Sequence, residues 1–259
     1  MIVFVAGMPR AGSMWTYNVV RAIYETKGFL VLPKTIPTDE RKLFTDALNC
    51  EVKENEVYCI KTHFRLKSPL PTKHAAKIIC NVRDVRDACL SFMRFMHADY
   101  KADFEAGITT MVGMMNITDY YLHTFGDDVL GVRFEDLNNN PQSVVENIGA
   151  FLKIELSKGE KKEILREFSK PNIQKKLREM KKIKLDKHGQ VEGDEQKSKF
   201  ETVKNRDGTY RVYEKTTAFQ SNHITATRDG EWKTYFGKNQ IDRINNITKE
   251  WLLRHGYKV

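Results

Sequence analysis

The sequence predicts an α/β fold in three layers, a central and mainly parallel sheet flanked by helices, on three observations. Short apolar runs of strand length alternate with longer runs of helical period through most of the chain. A glycine-bearing loop joins the first strand-like run to the first helical one. Residues with chemical potential cluster just after the strand-like runs, where open α/β sheets bind their ligands.

The first strand is expected over residues 2–6, and the first helix over residues 14–27. Between them, Gly7-Met8-Pro9-Arg10-Ala11-Gly12-Ser13-Met14 keeps the glycine spacing of a phosphate-binding loop. A strand, such a loop and a helix in that order predict a P-loop NTPase-like frame, with backbone N–H groups at the helix start facing an anion. Ser13 and Met14, however, stand where an ATP-handling loop carries its phosphate-binding Lys and its magnesium-holding Ser or Thr. The cation has moved inside the loop, to Arg10. The loop therefore predicts metal-free chemistry on an anionic group.

Further strands are expected over 29–32, 57–60, 77–82 and 129–134, and helices over 38–48, 86–97, 104–125, 141–152, 158–168, 171–182 and 240–255. Asn140 suits a helix cap and Pro141 the first helical position. The alternation breaks in residues 185–219. There, β-prone runs at 200–204 and 209–213 flank Asn205-Arg206-Asp207-Gly208, a turn signal that predicts a β-hairpin. One domain over 1–259 is expected, with 185–219 as an inserted lid that shapes acceptor choice.

Composition narrows the function classes. A chain of 259 residues with 30% charged and 41% apolar residues can bury one full core. Its net charge is +9, and residues 153–199 hold fifteen Lys and Arg against nine Asp and Glu. That excess reads either as a solvated helical face or as an electropositive funnel for a polyanionic nucleotide or acidic acceptor. With few aromatics in the stretch and no recognised binding module, nucleic acid is not an expected partner. The opening apolar run is one strand long with no cationic segment before it, so neither a signal peptide nor a membrane span is expected, and cytoplasmic residence is. Cys50, Cys59, Cys80 and Cys89 show no metal spacing and read as buried free thiols.

The candidate chemistry follows the strands. Lys61-Thr62-His63 come after 57–60; Arg83 comes after 77–82, with Ser91 eight residues on in the next helix; Phe134-Glu135-Asp136-Leu137 end the last strand; Arg228-Asp229-Gly230-Glu231-Trp232-Lys233 stand near the C-terminus. Singly, each has a structural explanation: His63 as a hydrogen-bonder, Arg83 paired with Asp84 or Asp87, Ser91 as a surface hydroxyl. Met111, Met114 and Met115 fit a core face or an apolar pocket wall.

Taken in order, these segments resemble the sulfotransferase family, and its cytosolic branch in particular. The resemblance rests on Pro9 to Trp15, Lys61-Thr62-His63, Arg83 through Ser91, Phe134 to Leu137 and Gly230-Glu231-Trp232-Lys233. It implies 3′-phosphoadenosine 5′-phosphosulfate (PAPS) as donor, adenosine 3′,5′-bisphosphate (PAP) as product, no metal, and transfer of a sulfuryl group to a hydroxyl or amine of a small molecule or glycan. By the same resemblance Ala11, Gly12, Ser13 and Met14 cradle the 5′-phosphate. Arg10 and Lys61 offset charge growing on the leaving phosphate, and Arg83 with Ser91 hold the 3′-phosphate. His63 is the general base, Trp15 stacks on adenine, and Phe134 occupies the place of a tyrosine.

Departures lie near the C-terminus. Thr225-Ala226-Thr227 stand where Arg-Lys-Gly is expected, so Arg228 is the replacement cation for the 3′-phosphate, and Trp232 is expected to pack. Gly237-Lys238 replace an apolar pair of the family's dimer segment, so a monomer is expected. A P-loop kinase and a non-catalytic nucleotide-binding protein on the same fold are the alternative readings.

Overall fold

The structure, a computed structural model, describes residues 1–38, 40–68, 74–96, 103–205, 207–222 and 229–259. In chain order, β1 (Ile2–Gly7) leads into α1 (Ser13–Glu25), β2 (Leu30–Leu32), α2 (Glu40–Asn49), β3 (Glu56–Lys61) and β4 (Ala76–Val82). Helices α3 (Val85–Phe95) and α4 (Phe104–Thr124) precede β5 (Val129–Arg133), and α5 (Phe134–Asn139), α6 (Pro141–Phe151), α7 (Lys158–Glu167) and α8 (Lys170–Met180) follow it. The chain continues through α9 (Asp194–Lys199), a hairpin of β6 (Phe200–Lys204) and β7 (Tyr210–Glu214), α10 (Trp232–Tyr235) and α11 (Lys238–Arg254).

Five strands form one parallel sheet in the order β2-β3-β1-β4-β5. β1 lies at its centre, and Ile2, Val3, Phe4, Val5 and Ala6 are wholly buried, because each face of a central parallel strand is covered by helices. Helix α1 packs on β1, β2 and β3 and touches α6 and α7, whereas α4 packs on β4, β1 and β5 and touches α3 and α11. The helices thus form a layer on each face. The chain leaves β1 toward β2 in one direction and β4 toward β5 in the other, so the crevice between the carboxyl ends of β1 and β4 is the switch point of the sheet.

Local chemistry explains the boundaries. Asp84 caps α3 by accepting the Arg86 N–H at 3.0 Å, and Asn140 caps α6 by accepting the Ser143 N–H at 3.3 Å. Ser157 and Glu160 close a reciprocal capping box on α7. The expected strand over 129–134 ends one residue early: Phe134 begins α5, whose first turn carries Glu135 and Asp136, a charge placement that favours a helix start. The short helices α5, α9 and α10 are unanticipated. The expected helix 86–97 is described only as far as residue 96.

The hairpin forms where expected and docks on the body of the molecule. Tyr213 is buried, its hydroxyl donates to the Ile36 carbonyl at 3.1 Å, and the Ile36 N–H donates to the Lys215 carbonyl at 2.6 Å. Met111, Met114 and Met115 are buried in the core. Cys59, Cys80 and Cys89 are buried thiols outside any disulfide, and burial pushes Cys59 up to about 12. Cys50 departs from the expectation: it follows α2 and is only half-buried.

Candidate active site at the switch point

Three adjacent strands deliver the candidate residues to one place. Gly7 at the end of β1 pairs with Asn81 of β4, and Val5 pairs with Lys61 of β3. Parallel pairing therefore makes the glycine loop, Lys61 with His63, and Arg83 leave the same edge of the sheet side by side.

The loop is tightly constrained. Gly7 has φ of 107°, and a Cβ there would lie 2.6 Å from the Asn81 carbonyl oxygen, so only glycine allows β1 and β4 to run this close. Gly12 has φ of 87°, and its Cβ would lie 2.3 Å from Leu137 Cδ1 and 3.3 Å from Phe134 Cδ2. Helix α5 thus roofs the loop. Between the glycines, Arg10 itself takes φ of 65°, a left-handed conformation that residues with a Cβ rarely adopt and that concentrates at functional sites.

Beyond Gly12, helix α1 starts with no side-chain cap and no acidic residue in its first turn. Its leading N–H groups keep their positive end for an anion. Ser13 and Met14 are buried at this start, and Ala11 is wholly buried just before it. Asn81 fastens the helix to β4 by donating to Thr16 Oγ1 at 2.8 Å.

The cations converge on the loop. Arg83 is 3% exposed; its Nη1 donates to the Arg10 carbonyl at 3.2 Å, its Nη2 to Asp229 Oδ1 at 3.2 Å, and its guanidinium lies 4.0 Å from the centre of the Phe134 ring. Its Nε is buried and has no hydrogen-bond partner among the described residues. Arg10 Nε donates to Ser91 Oγ at 3.1 Å, and Ser91 is buried on α3. Burial, and then the neighbouring Arg83, pull Arg10 down to about 10. Two guanidiniums held this close, one with an unmet buried N–H, fit a multiply charged anion.

His63 sits on the other side of the loop. Its Nδ1 is 2.9 Å from the Gly7 carbonyl oxygen, which can only accept, so the proton belongs on Nδ1 and the neutral ring keeps its lone pair on Nε2. Lys61 Nζ lies 3.2 Å from that Nε2. The residues after His63 are pinned to α4, where Tyr121 donates its hydroxyl to the Phe64 carbonyl and the Leu66 N–H donates to Tyr121 at 3.3 Å.

The remaining candidates are more scattered. Trp15 is half-buried, and its indole N–H donates to the Phe168 carbonyl at 3.0 Å, which fixes the ring at the α7–α8 junction. Phe134 touches the site through Arg83 and Gly12. Arg228 lies outside the described residues, as do Thr225, Ala226 and Thr227. Trp232 is buried, with the Arg86 guanidinium 4.4 Å from its ring centre.

Some neighbours of the site are invisible to motif reading. Arg83 does not pair with Asp84, which both caps α3 and accepts from Arg86 Nη2 at 2.7 Å; it pairs with Asp229. Asp87 instead accepts the Gly230 N–H at 2.8 Å and so ties the C-terminal turn to α3. The Gly230 beside Asp229 marks a turn, but nothing in the sequence says which strand end that turn meets.

Comparison with known proteins agrees with this frame. A family model described as "Sulfotransferase domain" matches residues 2–256. A flavonol 3-sulfotransferase from Flaveria bidentis is 25% identical over 274 residues, covering 96% of this chain and 81% of that protein. Among solved structures, mouse sulfotransferase SULT7A1 complexed with PAP aligns with a TM-score of 0.65 at 16% identity, over 96% of this chain and 83% of that one. A retinol dehydratase in complex with androsterone and PAP aligns with a TM-score of 0.61 at 15% identity, over 97% and 80%. These likenesses establish the P-loop NTPase-like fold.

Proposed function

The chain belongs to the sulfotransferase family, whose PAPS-dependent sulfuryl transfer is its activity, and from that premise we propose that His63, Arg10 and Lys61 carry the transfer to a hydroxyl or amine of a small molecule. The relative that acts on a flavonol supports a small-molecule acceptor. The observation that carries the reading is the bond between His63 Nδ1 and the Gly7 carbonyl, because it anchors the imidazole beside the phosphate loop with the proton on Nδ1 and makes Nε2 the basic nitrogen.

The donor supplies a sulfuryl group on an anionic phosphate leaving group. The chain supplies the rest. Ala11, Gly12, Ser13 and Met14 present the backbone at the uncapped start of α1 to the 5′-phosphate. Arg83, with its unmet Nε–H, and Ser91 hold the 3′-phosphate, which distinguishes this donor from simpler nucleotides. Trp15 and Phe134 flank the nucleotide. His63 Nε2 accepts the proton of the acceptor, while Lys61 and Arg10 stabilise negative charge as it grows on the departing phosphate. The inserted hairpin covers the acceptor side, and Arg228 adds a cation for the 3′-phosphate.

The kinase reading is the weaker one, because Ser13 and Met14 remove both the lysine and the hydroxyl through which P-loops handle magnesium and the terminal phosphates. Calorimetry with PAP and ATP, each with and without magnesium, separates the two. Metal-independent preference for PAP is expected, and magnesium-dependent ATP binding would refute the assignment. Transfer from PAPS to phenols, alcohols and amines, followed as sulfated product, separates an enzyme from a binding protein.

A further inference from the structure

We infer that Arg211, on the hairpin, is an acceptor-recognition residue that selects hydroxyl compounds carrying a carboxylate or similar anionic group. The inference rests on the sulfotransferase reading of the switch-point site and adds to it the chemical class of acceptor.

The hairpin reaches that site through one ring. Phe95 ends α3 one helical turn beyond Ser91, and two guanidiniums lie against it: Arg10 at 4.8 Å from the ring centre and Arg211 at 5.0 Å. Arg10 belongs to the phosphate loop and Arg211 to β7, so Phe95 is where the hairpin meets the chemistry.

Arg211 has a charge in want of a partner. It is half-buried, its Nη1 donates to the neutral side chain of Asn205, and its Nε is buried with no hydrogen-bond partner among the described residues. No carboxylate pairs with it among the described residues, and burial alone lowers its pKa. A desolvated guanidinium without a counter-ion is costly, and its fork matches carboxylate, sulfate or phosphate.

A second group at the same place is also unmet. The Ser221 N–H donates to the Val212 carbonyl at 2.9 Å and Gln220 bridges Tyr213, so the chain after the hairpin runs antiparallel to β7, with Asn222 the next residue along it in the direction of Arg211. Both amide atoms of Asn222 are buried without hydrogen-bond partners among the described residues. Native proteins leave few such groups unsatisfied, and a cation beside an unpaired amide forms a polar recognition face.

Geometry also favours acceptor over donor. Arg83 bonds directly to the Arg10 backbone and Arg10 to Ser91, so these groups form the donor's cationic cluster. Among the described residues, Arg211 meets that cluster through the Phe95 ring, on an element that stands outside the sheet.

The test uses two matched series that differ in one charge: para-hydroxyphenylacetate, its methyl ester and tyramine; and methyl glucuronide, methyl glucoside and glucosamine. PAP binding by the wild type is measured first, and its absence would remove the sulfotransferase reading itself. With PAP binding established, the carboxylate member of at least one series is expected to exceed its neutral counterpart about tenfold or more in kcat/KM. Arg211→Gln is expected to abolish that preference and Arg211→Glu to shift it toward the ammonium member. Arg211→Lys should retain part of it, while PAP affinity stays within about twofold throughout. The inference is overturned if neither series shows a carboxylate preference, turnover of no member included, or if the preference survives in Arg211→Gln. Loss of PAP affinity in that variant would place Arg211 on the donor and overturn it equally. Absence of a carboxylate preference in the wild type overturns the inference even where a variant melts below the assay temperature.

Discussion

Nη1 of Arg83 donates a 3.2 Å hydrogen bond to the main-chain carbonyl of Arg10, so the first residue after β4 grips the loop that follows β1. The bond holds that carbonyl while Arg10 keeps its left-handed backbone at φ of 65°. Through Arg10 Nε the same chain of contacts reaches Ser91 on α3. A nucleotide gripped at both phosphate ends would touch residues that already position one another, which limits the ordering needed on binding.

Replacing Arg83 therefore tests donor recognition at its most connected residue. Hydrogen bonds to charged groups contribute about 1.5–3 kcal/mol, so Arg83→Ala should weaken PAP binding roughly ten- to hundredfold. Arg83→Lys should restore little, because one ammonium cannot reach the Arg10 carbonyl, Asp229 and a phosphate with a planar fork. Titration calorimetry reads both, and wild-type affinity in either variant would detach Arg83 from the donor.

His63 is separable from binding. Its Nδ1 is committed to Gly7, so proton transfer falls to Nε2, which lies 3.2 Å from Lys61 Nζ. His63→Ala should lower transfer by roughly a hundred- to ten-thousand-fold, the range for a lost general base, while PAP binds nearly as before. Near-normal turnover in a sulfated-product assay would reject the base assignment.

What the sequence disclosed and what it withheld divide along contact range. Apolar periodicity exposed the five sheet strands, the hairpin and most helices, because each depends on neighbours a few positions away. The glycine loop, Lys61, His63 and Arg83 were legible as candidates because strand ends in a parallel sheet converge, and Ser91, in the helix after Arg83, through the family resemblance. The partner of Arg83 was not: sequence proximity pointed to Asp84 or Asp87, and the structure pairs it with Asp229, 146 positions distant. The Phe95 contact between Arg10 and Arg211 was equally hidden, since it depends on how the hairpin docks. Phe134 read as strand because its ring suits one, yet the two carboxylates after it start a helix.

Gly12 offers a test of the loop that separates crowding from dihedral strain. Gly12→Ala forces a Cβ to 2.3 Å from Leu137 Cδ1 at φ of 87°, so melting temperature and PAP affinity should both fall. Leu137→Ala in the same chain relieves the closest contact but leaves the 3.3 Å approach to Phe134 Cδ2 and the left-handed conformation, which costs a residue with a Cβ about 1–2 kcal/mol. Partial recovery in the double variant is the expected outcome. Full recovery would show that crowding by Leu137 alone demands the glycine, and none would show that the dihedral and the Phe134 contact do.

Asp87 predicts a pH dependence of stability. It is 3% exposed, and burial raises its pKa from 3.8 to about 6; Asp84 and Asp229 push the same way, while the Gly230 N–H and Arg83 oppose them. Between those two values the folded protein holds a proton on this carboxyl that the unfolded chain has lost. Folding is thus favoured below the lower value, and that contribution falls away as pH rises through about 6. The size is on the order of 3 kcal/mol. Asp87→Asn cannot titrate, yet its amide oxygen can still accept from Gly230, so the anchor of the Asp229 turn survives. Urea unfolding from about pH 4 to pH 8 should show the wild type losing stability relative to this variant across that window. Parallel curves would mean that Asp87 does not change its charge there, and that its carboxylate is better compensated by Arg83 than its burial implies.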